Sequence, residues 1–202
     1  MKIAIQAFIM LNTALLFLKK YLKNNPSLEQ VDIDLKYLPS KTTDLEDASS
    51  NIFITLLSIE EERSTKSPYR YERKTDVSPA RINIINSELA LNLYLMISSS
   101  GDYVEALKNI SKVIATFANK NSFEKADFEA VLLEGDDIDP LSQLSLDIQN
   151  FSLDQTNNLW QALANNIIPH IIYKVRIVAI TPTLPQATTR EVREINVETK
   201  TL

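Results

Sequence analysis

The chain has 202 residues, 45% of them hydrophobic and 23% charged, an ordinary soluble globular composition with room for one sizeable core, or one domain plus a tail. The net charge of −5 argues against nucleic-acid binding, and the lack of cysteine excludes disulfides, thiolate metal sites and thiol nucleophiles. Two glycines, Gly101 and Gly135, cannot build a Walker loop or a dinucleotide fingerprint, and one histidine, His170, cannot build a multi-histidine zinc site.

Taken in order, the first stretch is MKIAIQAFIMLNTALLFLKKYLK. A basic start and an apolar run suggest a signal or anchor as one alternative. The run is broken by Gln6, Asn12 and Thr13, is shorter than the ~20 residues of a spanning helix, and has no A-x-A site after it. At helical spacing Lys2, Gln6, Asn12, Thr13, Lys19, Lys20 and Lys23 gather on one side, and Ile3, Met10, Leu11, Phe17, Leu18 and Leu22 on the other. A packed amphipathic helix is the favoured reading. Ile5, Ile9 and Leu16 fall inside the polar arc. They are either scattered surface apolars or a second contact face, against a neighbouring subunit or the C-terminal tail.

Asn24–Ser27 ends this helix. Val31, Ile33, Leu35 and Tyr37 then alternate with Asp32, Asp34 and Lys36, which predicts a half-buried strand near a sheet edge. Ile52–Ile59 is a strand with little polar content. Glu60–Arg81 has no clear period and interleaves Tyr69 and Tyr71 with Arg63, Lys66, Arg70, Arg73, Lys74 and Arg81. Nucleic-acid contact is one reading of such a pattern. A solvated insertion or hairpin is the other and is preferred, with protein binding as its functional meaning. Leu89, Leu91, Leu93, Leu95 and Ile97 share one face of a central strand.

Asp102 is a fitting N-cap, and Glu105 completes a capping-box pattern. Tyr103, Leu107, Ile110, Ile114 and Phe117 are expected to form the buried stripe of the helix that follows. Ser122–Leu133 predicts a short helix or turn and a strand end. The acidic Glu134–Pro140 does not match calcium-loop spacing and reads as a solvated turn. Leu144, Leu146 and Ile148 predict another half-exposed strand. Ser152 and Gln155 form a capping box into a helix carrying Trp160, and the longest strand candidate ends at Ile180. Thr181–Pro185 closes the domain, and Glu191–Thr201 is a polar tail with a weak strand signal at Val192, Ile195 and Val197. The order predicts an α+β (mixed α/β) domain over residues 1–182, with a mixed sheet of about five strands and flanking helices. Residues 183–202 form a C-terminal tail, read as a candidate strand-exchange arm.

Chemistry is sparse. His170 is the only imidazole, at a strand start, where a bond to backbone or water is the plain expectation. Ser98, Ser99 and Ser100 lack a G-x-S-x-G elbow, and Asp136, Asp137 and Asp139 have no evident cleft. No catalytic, cofactor-binding or metal-binding residue is assigned, and the chain is not read as an enzyme.

Five segments, in order, resemble one family: NIFITLL (Asn51–Leu57), LALNLYLMISSS (Leu89–Ser100), GDYVEALKNISKVI (Gly101–Ile114), LSLDIQNFSLDQTNNLWQAL (Leu144–Leu163) and PHIIYKVRIVAI (Pro169–Ile180). Together they resemble the tail-terminator or cap proteins of contractile injection systems, the phage-tail-like devices of the antifeeding-prophage and virulence-cassette class. The ordered set carries the resemblance, since no single motif is specific. It implies a structural protein forming a hexameric ring on the end of the inner tube, stopping tube elongation and receiving the last sheath ring. The implied partners are further copies of itself, the tube protein and the sheath protein, without nucleic acid, cofactor or membrane insertion. Assembly in the cytoplasm into a particle that is released or retained is implied too. The same resemblance admits a baseplate or tube-adaptor protein. A ring cap needs contact surfaces rather than an active site. The candidate contacts are Ile5, Ile9 and Leu16, the loop residues Tyr69, Arg70, Tyr71 and Arg73, and the tail residues Val192, Ile195 and Val197.

Overall fold

A computed structural model describes residues 2–36, 51–62, 69–74, 81–86, 89–132, 141–163, 167–179 and 187–190. Side chains are described within 11–36, 51–62, 90–132, 141–163 and 167–178. The helices are α1 (Lys2–Lys23), α2 (Tyr103–Asn119), α3 (Lys125–Val131) and α4 (Leu153–Ala162), and a 3-10 turn spans Pro26–Leu28. The strands are β1 (Asp32–Leu35), β2 (Asn51–Glu61), β3 (Tyr69–Lys74), β4 (Arg81–Asn86), β5 (Leu89–Ser99), β6 (Ser122–Glu124), β7 (Leu141–Ile148), β8 (His170–Ala179) and β9 (Ala187–Arg190).

The chain divides into two units. The first, Met1–Glu62 with Leu89–Ile180, holds a six-stranded sheet in the order β1-β2-β5-β8-β7-β6. The expected count of about five strands is thus exceeded by one, the short edge strand β6. All neighbours are antiparallel except β1 and β2. Both edges are blunted as soluble sheets require: β1 is four residues long and carries Asp32 and Asp34, and β6 is three residues long.

Period-2 alternation sorts the strands onto two faces. On the front face Ile52 and Ile54 of β2, Leu91, Leu93, Leu95 and Ile97 of β5, Leu144 and Leu146 of β7, and Tyr173, Val175 and Ile177 of β8 join one core. Helices α1, α2 and α3 cover it, through Ala14, Phe17, Leu18 and Leu22, through Val113 and Phe117, and through Phe128. Phe17 is the hub, with edge-on contacts to Phe123 at 5.1 Å and Phe128 at 4.8 Å. The expected apolar side of α1 is confirmed at Phe17, Leu18 and Leu22, but Thr13, assigned to the polar side, is buried as well. It stands one turn before Phe17 and next to buried Ala14, so the arc facing the core is wider than the apolar residues alone outline. Among the described residues no helix is long and apolar enough to cross a membrane.

The back face carries a smaller cluster of Phe53, Met96, Ile172 and Trp160 from α4, with Leu57, Phe151, Leu159, Leu163 and Ile168 at its margin. Ser152 caps α4 as its sequence predicts: its hydroxyl accepts from Gln155 N at 3.2 Å, and Gln155 Oε1 accepts from Ser152 N at 2.9 Å. Asp102 caps α2, accepting from Val104 N at 3.0 Å and Glu105 N at 3.3 Å. The Glu105 carboxylate does not complete a box; it bonds Lys108 at 2.7 Å. Gly101, at φ 98°, makes the left-handed turn before this cap.

The expected stripe of α2 is corrected in part. Ile110 and Phe117 are buried, but Tyr103 and Leu107 are exposed, and Ala106, Asn109, Val113 and Thr116 line the buried side instead. The physical reason is polar. Asn109 Nδ2 donates to Ser99 Oγ at 3.3 Å, and Asn25 Nδ2 donates to Thr116 Oγ1 at 2.6 Å. These bonds set the helix rotation, and small residues allow its close approach to β5.

The second unit, Arg63–Glu88 with Thr181–Leu202, holds the antiparallel sheet β3-β4-β9. The segment without a clear period is therefore a hairpin, pairing Tyr69 with Asn86 through Lys74 with Arg81. β9 joins it between Arg81↔Arg190 and Ile84↔Ala187. The described strand of the tail lies at 187–190; the weak strand signal at Val192, Ile195 and Val197 lies outside the described residues.

Candidate assembly surface

The one imidazole is held as a structural group. His170 Nδ1 lies 2.8 Å from the Ile168 carbonyl, and its ring meets Trp160 edge-on at 5.1 Å. Register places it opposite Ser98 on β5, but Ser98 is fully buried and its Oγ has no hydrogen-bond partner among the described residues. A serine nucleophile needs a bond to its base and access for substrate, and Ser98 has neither. Ser99 and Ser100 are buried too. The acidic turn with Asp136, Asp137 and Asp139 lies outside the described residues.

What the first unit does present is surface. On α2 Tyr103, Val104 and Leu107 are 66%, 56% and 43% exposed. Spacings of three and four residues put them side by side, so they form an apolar ridge over the first two turns. On the opposite side of α2 a cleft of about 390 Å³ is lined by Glu29, Asp32, Asn51, Glu105, Asn109 and Lys112, among others. Three carboxylates and one ammonium make it acidic. The ridge was legible only as core, because an exposed apolar pair at helical spacing looks like a buried one until the partner face is known.

Among the described residues no helix covers the back face beyond Met96 and Ile172, and the row positions there are polar, Asn92 among them buried. Ser58, Tyr94, Lys174 and Asp147 stand in one cross-strand row, and Glu60, Asn92, Arg176 and Ser145 in the next. Tyr94 Oη donates to Glu60 at 3.1 Å, and Asn92 Nδ2 donates to Glu62 at 3.0 Å. Partial burial, then the Glu60 carboxylate, raises the Tyr94 pKa above the ordinary phenol value. At the other end of this face Leu153 of α4 and Ile167 are exposed apolars, and Ile148, opposite Tyr173 at the end of β7, is exposed on the front side.

The candidate contact residues fall in three places. Ile5, Ile9 and Leu16 are all on α1, where Leu16 is half-buried and the other two side chains lie outside the described set. Tyr69, Arg70, Tyr71 and Arg73 are all register positions of β3. Val192, Ile195 and Val197 lie outside the described residues.

The Pvc16 N-terminal domain family matches residues 12–194, nearly the whole chain. The chain belongs to that family. No curated protein sequence matches it. Two solved structures share the fold of this Pvc16 N-terminal domain. One is the sheath/tube terminator, in its extended state, of an extracellular contractile injection system (PVC). It is 16% identical with a TM-score of 0.55, over 96% of this chain and 63% of that one. The other is the anti-feeding prophage cap, a tube-terminating cap. It is 15% identical with a TM-score of 0.56, over 93% of this chain and 59% of that one. The chain thus spans about six tenths of the length of the two solved chains. Mixed sheet, flanking helices and the order of elements agree with the α+β, terminator-like fold that the sequence predicts.

Proposed function

We propose that this protein is a structural terminator of a contractile injection system, closing the end of the inner tube and sheath as a ring and halting tube elongation. One observation carries the reading: the fold match covers 96% and 93% of the chain, and both matched structures are described as a terminator or terminating cap. The buried serines, the backbone-bound His170 and the broad exposed surfaces fit a protein whose work is contact rather than turnover. Its partners on this reading are neighbouring copies, the tube protein and the sheath protein, and its place is the distal end of a phage-tail-like particle. Residues 183–202 serve as an arm that supports assembly. A strain lacking the protein should make tubes of uncontrolled length or tubes without sheath, as counted by electron microscopy. Particles of normal length with intact sheath, or labelled protein found at the baseplate, would overturn the reading.

A further inference from the structure

Charge is divided unequally between the two units. The second unit holds nine Lys and Arg against six Asp and Glu, and the first holds twelve against twenty. On the three described strands of the second unit the imbalance is sharper: Arg70, Arg73, Lys74, Arg81 and Arg190 against Glu72 alone. Register concentrates it further. Lys74 pairs with Arg81, and Arg81 pairs with Arg190, so three cations stand in one row across all three strands. Like charges directly opposite one another weaken a sheet. An anionic surface facing the row would offset that repulsion, and the first unit supplies one in the cleft of Glu29, Asp32 and Glu105.

We infer that the basic β3-β4-β9 sheet of one copy docks on the acidic cleft beside α2 in a second copy. Charge complementarity selects the occupant: this chain carries both the cationic row and the anionic cleft. The two surfaces are different patches of one chain, so the contact is head-to-tail. Such a contact repeats from copy to copy and closes into a ring where the rotation allows. By register Arg70 and Ile85, which pair with each other, share the face of the cationic row. The inference rests on the terminator reading for its setting, but is tested on the isolated protein.

The test uses two charge-reversed chains, Arg81→Glu with Arg190→Glu, and Glu29→Lys with Asp32→Lys, followed by sedimentation velocity. Wild type should self-associate, more weakly as salt rises. Each variant alone should associate about a hundredfold or more weakly. An equimolar mixture should recover association, because the acidic sheet of one meets the basic cleft of the other. That recovery also shows that both variants fold. A wild type that stays monomeric, a variant that associates like wild type, or a mixture that stays apart overturns the contact. None of these outcomes alters tube length in the strain lacking the protein, so the terminator reading stands or falls separately.

Discussion

The two faces of the six-stranded sheet solve the burial problem differently. The front face is covered by three helices and buries a continuous core from β2 to β7. Among the described residues the back face is covered by α4 alone, over Phe53, Met96 and Ile172, and then gives way to rows of Glu60, Asn92, Tyr94 and Lys174. A sheet with one packed face and one partly wetted face is an ordinary antiparallel solution. The lesson concerns where energy and contact are placed. Stability is concentrated in front, whereas the described back face beyond α4 is polar and the α2 ridge is exposed.

The largest test of this difference is a pair of core truncations. Phe17 meets Tyr21, Phe123 and Phe128, ring against ring. Phe17→Ala should cost about 3–5 kcal/mol in urea unfolding, as large aromatic truncations do. Trp160→Ala should cost less, toward about 3 kcal/mol, because its cluster is small and its Nε1 has no hydrogen-bond partner among the described residues. A Trp160→Ala loss larger than the Phe17→Ala loss would break the comparison.

A second, smaller effect comes from pH. Tyr173 is buried in front against Phe117, at 5.3 Å, and burial pushes its phenol up to about 12 from 10.0. The fold favours the neutral form, so the stabilisation is complete below pH ~10 and is lost as pH rises toward ~12. At about 1.4 kcal/mol per pKa unit the loss reaches ~2–3 kcal/mol. Tyr173→Phe should abolish that part of the alkaline loss. Near neutral pH it should change stability by no more than about 1 kcal/mol, since the buried Oη has no partner to forfeit. Urea midpoints of wild type and variant at about pH 8 and about pH 11.5 check this; parallel losses in both proteins would refute it.

The sequence was most legible where one period met one partner. Leu91, Leu93, Leu95 and Ile97 alternate cleanly because a single helical layer lies over them, and Ser152 with Gln155 announces α4 by local chemistry alone. It was least legible where tertiary contacts override pattern. Asn109 is buried because Ser99 answers it, and no periodicity of α2 shows that partner. Tyr103 and Leu107 mimic a core stripe while facing outward. In the second unit the charges of 69–81 were plain, but the cationic row was not. A row across strands depends on register, and register joins Arg81 to a residue more than a hundred positions away, Arg190.

The smallest expected effect lies on the back face and sharpens the contrast between its two tyrosine environments. Tyr94 also has a raised pKa, but burial there is slight and the Glu60 carboxylate supplies the rest. Its neutral form too is favoured in the fold, so its contribution holds below the ordinary phenol value and fades above it. Water can take over from Glu60 at this half-exposed site, so Tyr94→Phe should cost less than ~1 kcal/mol near neutral pH. It should flatten the alkaline loss less than Tyr173→Phe does. The same urea series measures both. If Tyr94→Phe proved as costly as a core truncation, the polar half of the back face would belong to the folding core rather than to its margin.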